Sequence, residues 1–238
     1  MSIAQQIDRR VKDRAPLELF SPEMVTRKNE SNQAVAKALS RMQDQGLIVR
    51  ARKGVYYRPK SSRFGVIQPS EQDILKFLLF ENGRRSGYIT GLRLYNKLGL
   101  TSQISGVVEI ATNEEKRSGN FLRSRVRYVK AYGDVRRDNI ELLEILDTIK
   151  DSHRIPDASQ ENVLMTIARL IQDLKSKDQQ DLLRLARKYP SRAKVTLAAI
   201  VESFSTPRKL LYLRVHELKS LVPNTTQSSL KRAQDMIP

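Results

Sequence analysis

Ser31, Asn32 and Gln33, followed by Lys37 and Arg41, are the residues whose types and spacing best suit recognition chemistry. Side-chain amides can make paired hydrogen bonds to adenine N6 and N7, and a lysine or arginine can reach the guanine acceptors O6 and N7. At about 100° per residue, Val35, Ala38, Leu39 and Met42 fall on one helix face, with Gln33, Lys37, Ser40 and Asp44 roughly opposite and Arg41 alongside. One face is thus built to be buried and the other to meet a polar partner. Arg27 and Lys28 precede this stretch, and Arg50, Arg52 and Lys53 follow it, where cations can meet phosphates on either side of a groove. The competing reading is a solvated surface on a small protein-interaction domain. Catalytic chemistry has weaker candidates. His153 and His216 lack a nearby Cys or an ordered cluster of carboxylates at metal-ligand spacing, no phosphate-cradling glycine motif occurs, and Glu114-Glu115-Lys116 has no convincing upstream Asp partner of the kind a metal-dependent nuclease needs.

The elements that must position the polar face follow from periodicity. Ser2 caps a helix to Lys12 with Ile3, Ile7 and Val11 on one face, and Ser21-Pro22-Glu23 opens a short second helix. The third helix follows Asn29-Glu30-Ser31-Asn32 and stops at Gly46. Leu47 to Arg50 and Val55 to Arg58 read as a hairpin joined through Ala51-Arg52-Lys53-Gly54. Helix, short helix, turn, helix and basic hairpin is the order of a winged helix-turn-helix, whose last helix enters the major groove.

The fold class expected is α+β, mainly α, in three regions. Residues 1–60 are the winged helix-turn-helix, and residues 61–69, with two Pro-flanked ends and no periodicity, form a linker. Residues 70–135 are α+β, with helices from Ser70 and over Thr90 to Leu98 and strands at Val107 to Ala111 and Ser124 to Val129. Residues 136–238 are a helical bundle, broken near Pro156, Ser176, Pro190, Pro207 and Pro223. Residues 70–238 are expected to hold a core of their own.

Composition narrows the partners. The 43 Lys and Arg against 26 Asp and Glu give a net charge of +17, which favours polyanions through long-range attraction and counterion release. The absence of Cys excludes disulfides, thiolate metal sites and cysteine nucleophiles. No apolar run approaches a membrane span, and the charged start is unlike a signal peptide, so the expected setting is the cytoplasm with no membrane partner.

Three stretches together resemble a known family, the antitoxins similar to the abortive-infection protein AbiEi, including chains of the DUF6088 type. LFSPEMVTRKNESNQAVAKALSRMQDQGLIVRARKGVYYRP at 19–59 is similar to their winged-helix domain. GYITGLRLYNKLGLTSQISGVVEIATN at 87–113 resembles the start of their antitoxin domain, and LLRLARKYPSRAKVTLAAIVESF at 182–204 a helical segment near their C-terminus. The resemblance implies a bacterial phage-defence antitoxin that represses its own operon by binding double-stranded repeats in the promoter. It also implies that the second domain counteracts a nucleotidyltransferase-like toxin, with or without a direct complex. No enzymatic activity and no cofactor are expected, and a homodimer would suit paired repeats. A plain winged-helix regulator and a DNA-targeted metal-dependent nuclease are the alternatives.

Overall fold

The computed structural model describes residues 2–63, 65–203, 216 and 219–221. Among these the chain is mixed α+β, with eight α-helices and several small sheets. Two compact units divide it: Met1–Arg85 with Ser118–Val126, and Ser86–Arg117 with the chain from Arg127 onward.

In the first unit α1 (Ile3–Lys12) begins at Ser2, whose hydroxyl accepts the Gln5 N–H at 3.3 Å while the Ser2 N–H donates to Gln5 Oε1 at 2.9 Å. This reciprocal box satisfies donors that a helix start leaves open. After β1 (Leu19–Phe20), the expected second helix is only a single 3-10 turn (Pro22–Met24), ended where the Thr26 hydroxyl donates back to the Pro22 carbonyl at 2.7 Å. Next comes α2 (Asn32–Asp44), which buries Val35, Ala38, Leu39 and Met42 in one cluster with Ile7, Val11, Phe20 and Ile48. Antiparallel β2 (Val49–Arg52) and β3 (Val55–Tyr57) form the expected hairpin, and β1 completes a sheet of order β1-β3-β2. Tyr57 is buried beneath it, and Tyr56 leans on the Phe20 ring at 6.1 Å.

The expected linker at 61–69 is not structureless. Here β4 (Lys60–Ser62) and β5 (Gly65–Ile67) pair as a second antiparallel hairpin, because the turn at Arg63 brings two short extended segments into register. Next is α3 (Glu71–Leu79), capped reciprocally by Ser70 and Asp73, then a small hairpin of β6 (Phe80–Glu81) and β7 (Arg84–Arg85) turned by Asn82-Gly83. Both turn residues have positive φ, which a two-residue hairpin loop demands and which Asn-Gly supplies at least steric cost. Because Phe77 of α3 leans on buried Phe121 at 5.9 Å, α3 belongs to the first unit and not to a separate domain beginning at residue 70.

The second unit is built on β8 (Gly87–Thr90), α4 (Leu92–Lys97) and β9 (Val107–Thr112). Strand β8 pairs antiparallel with β9, from Gly87↔Thr112 to Thr90↔Glu109. The helix expected from Thr90 starts only after Gly91, whose φ of +67° strains any residue with a side chain; a Cβ there would also stand 2.7 Å from Glu109 Cδ and push that carboxylate aside. The hairpin of β10 (Gly119–Phe121) with β11 (Ser124–Lys130) takes the chain into the first unit and back, and β11 lies beside β9. Four helices follow as the periodicity predicts: α5 (Ile140–Asp151), α6 (Gln160–Asp173), α7 (Ser176–Ala186) and α8 (Ser191–Glu202). The expected breaks near Pro207 and Pro223 lie outside the described residues. Tyr88, Leu94 and Ala111 share one core with Leu143, Ile167 and Leu197. The expected division at residue 135 therefore does not occur, since neither the strands nor the helices bury their apolar faces alone.

Helix α5 is buried almost all round and packs against β8, α6, α7 and α8. Its Asp147 is the charged group at the centre. Oδ2 accepts the hydroxyls of Tyr88 at 2.9 Å and Thr90 at 2.8 Å, and Oδ1 accepts Tyr189 at 3.0 Å. Burial pushes this carboxyl above its ordinary range, while the three hydroxyls and Lys150 oppose the shift. One side chain thus ties β8, α5 and the α7–α8 connection. Replacing it strands three buried donors, so Asp147→Ala is expected to lower unfolding stability by about 3 kcal/mol. A urea melt checks this; an unchanged midpoint would show that the network contributes nothing.

Candidate nucleic-acid interface

The polar face of α2 is positioned by what lies behind and before it. Behind it the four buried side chains pack on α1, so the helix has only one orientation that hides them. Before it, Arg10 of α1 grips Glu30 in the entering turn through both carboxylate oxygens, with Nη1 to Oε2 at 2.9 Å. The Arg27 N–H donates to the same Glu30 Oε2 at 2.9 Å. These contacts, the Arg10 hydrogen bond first, hold the Glu30 carboxyl below the usual carboxylate range.

The predicted base-reading residues Ser31, Asn32, Gln33, Lys37 and Arg41 are all exposed. Ser31 stands at the N-cap of α2, but its hydroxyl makes no capping bond. The side chains of Asn32, Gln33, Lys37 and Arg41 make no hydrogen bond or ion pair with a described residue. Their donors and acceptors face solvent. Arg27 and Lys28 are exposed in the turn ahead, and Arg50 and Lys53 on the β2–β3 hairpin.

Arg52 is placed differently from its neighbours on the hairpin. It is half-buried, and its guanidinium lies over the Phe121 ring at 5.5 Å to the centroid. Such a cation over an aromatic face contributes about 0.5–1 kcal/mol at an exposed site and more when desolvated. Arg52 therefore braces the hairpin from below while Lys53 at its tip stays exposed. Arg58 is likewise occupied, donating to the carbonyls of Lys12 at 2.8 Å and Arg14 at 2.6 Å.

Sequence reasoning missed the cations of the β4–β5 hairpin. Lys60 is exposed on it and Arg63 stands at its turn, both within the same unit as α2. Lys60-Ser61-Ser62 shows no apolar alternation, so only the glycine at 65 and the β-branched Val66-Ile67 hinted at a hairpin. The Glu114-Lys116 pair closes on itself at 3.0 Å in the loop after β9.

The architecture defines a two-unit α+β protein whose first unit presents an exposed polar and basic helix face beside a basic hairpin. A family model described as a family of unknown function, DUF6088, matches residues 6–182, and the chain belongs to that family. Among solved structures it is similar to the RV2827C protein from Mycobacterium tuberculosis, at 14% identity and a TM-score of 0.48, over 93% of this chain and 82% of that one. No curated protein matches the chain. Among the described residues no helix is long and apolar enough to cross a membrane.

The Arg10–Glu30 pair sets a pH dependence whose sign is fixed. A depressed folded-state carboxyl contributes stability that is present above the unfolded value and lost as pH falls through the folded one. Glu30→Gln should therefore lower the melting temperature at neutral pH, and the gap from the unsubstituted protein should close as the solution is acidified through that window. A gap that stays constant with pH would remove the ion pair from the account.

Proposed function

We propose that this protein is a DNA-binding antitoxin that represses its own operon through a winged helix-turn-helix in its first unit. The observation that carries the reading is α2, which buries one face and leaves Asn32, Gln33, Lys37 and Arg41 exposed on the other, without partners among the described residues. The order α1, 3-10 turn, α2 and β2–β3 hairpin is the order of winged-helix readers, with α2 as the groove helix and the hairpin as wing. Asn32 and Gln33 read base edges, and Lys37 and Arg41 extend the contact along the groove. Arg27, Lys28, Arg50 and Lys53 bind phosphates, with Arg52 as the brace beneath the wing. The antitoxin part rests on the resemblance of residues 87–113 and 182–204 to AbiEi-like antitoxins, and the second unit is where neutralisation would reside.

The two activities have to be separated by substitution and not by truncation. Residues 118–126 belong to the first unit, so a cut near residue 67 would divide it. In full-length protein, affinity for a duplex from its own upstream region should fall steeply as salt rises. Asn32→Ala and Gln33→Ala should each cost about 1–3 kcal/mol on that duplex and less on random sequence, whereas Lys53→Ala should weaken both equally. Fluorescence anisotropy measures all three. Equal losses on cognate and random DNA for Asn32→Ala and Gln33→Ala would remove base reading from α2. The same two variants should still protect cells from a co-expressed neighbouring toxin; loss of protection together with repression would reduce the protein to a plain regulator.

A further inference from the structure

The second unit contains a pocket of about 810 Å³ lined from β8, α4, β9, β11 and α5, a size typical of small-molecule sites. Its walls carry the cations Arg127, Lys130, Lys150, Arg154 and Lys188 and the carboxylates Glu109, Asp147 and Asp151. The carboxylates are engaged within the protein. Arg127 meets Glu109 at 2.5 Å, and Asp151 accepts from Lys150 at 2.7 Å and from the Tyr95 hydroxyl at 2.8 Å. Asp147 is held by its three hydroxyl donors. All three carboxylates thus have partners within the protein, and the five cations outnumber them.

The cations are not matched in the same way. Among the described residues Lys130 and Arg154 form no ion pair; the Arg154 guanidinium donates only to its neighbour His153, at 3.1 Å. Lys188 pairs at 2.9 Å with Asp134, whose side chain is 80% exposed, so water screens most of that attraction. The result is a concave surface with surplus positive charge, which concentrates small anions. Leu92, Val129 and the half-exposed Tyr132 supply apolar wall beside these cations, and the Tyr132 ring is fixed by stacking on Tyr189 at 4.8 Å. A lone inorganic anion would leave that wall and most of the volume unused.

We propose that this pocket binds a nucleoside phosphate, its phosphates at Lys130, Arg154 and Lys188 and its sugar and base along Leu92, Val129 and Tyr132. Several separated cations suit a multiply charged phosphate chain better than a single carboxylate, and charge-assisted hydrogen bonds from lysine and arginine are its usual partners. This assignment is independent of DNA binding by α2.

The test is calorimetric titration of the full-length protein with ATP, GTP, CTP and UTP, alongside the free nucleosides and inorganic phosphate. At least one triphosphate should saturate a single site and bind at least about tenfold more tightly than its nucleoside or inorganic phosphate, as the loss of either set of contacts would dictate. Lys130→Ala with Arg154→Ala should weaken it roughly tenfold while leaving the melting temperature unchanged, since both side chains are exposed, and the charge reversal Lys130→Glu should do the same. Lys53→Ala on the β2–β3 hairpin should bind as the parent does. Absence of saturable binding by all four triphosphates, equal affinity for inorganic phosphate, or loss on Lys53→Ala and not on the pocket variants would each overturn the assignment.

Discussion

The burial of Val35, Ala38, Leu39 and Met42 decides which side of α2 meets solvent, and the rest of the first unit is arranged around that burial. Each large apolar side chain taken fully out of water contributes about 1.5–3 kcal/mol, so rotating the helix to present its other face would forfeit several such terms. It would also carry Lys37 and Arg41 toward the apolar core, which is costly for charged groups. The Arg10–Glu30 pair adds what apolar packing lacks, a directional bond that fixes how the chain enters α2. Non-directional burial chooses the face, and the charged pair chooses the approach.

The second unit solves a related problem with the balance reversed. Helix α5 is buried over most of its surface, so its apolar residues do less than those of α2 to distinguish one rotation from another. Asp147 makes that distinction. A buried carboxylate is costly unless its lone pairs are taken up, and only one placement brings Tyr88, Thr90 and Tyr189 to it together. Two members of this network, Thr90 and Asp147, also line the pocket.

Much of this was legible in the sequence because it is local. Apolar spacing and the Ser2 and Ser70 caps locate α1, α2 and α3, and helical periodicity locates α5 to α8. The exposed face of α2 was readable for the same reason, since a helix converts spacing into direction. What failed was mostly non-local. Gly87 to Thr90 reads as the approach to a helix because its strand partner lies beyond α4, and the pairing of β4 with β5 has no alternation to announce it. Asn82-Gly83 did carry a hairpin signal, on strands too short to support it. The unit boundaries depend on Phe77 and Arg52 meeting Phe121, which no window of sequence contains. The pocket was equally hidden, for its walls come from segments that are each unremarkable alone.

The central claim is that α2 carries DNA contact on its exposed face. Side-chain amide and backbone resonances of the full-length protein, followed by NMR on titration with a duplex from its own upstream region, address it directly. The account predicts that the Asn32 and Gln33 side-chain amides and the backbone of residues 31–41 and 50–53 shift first and saturate together, while the methyls of Val35 and Leu39 in the core stay nearly fixed. Shifts confined to α5 through α8, with residues 31–41 unmoved at saturation, would contradict it.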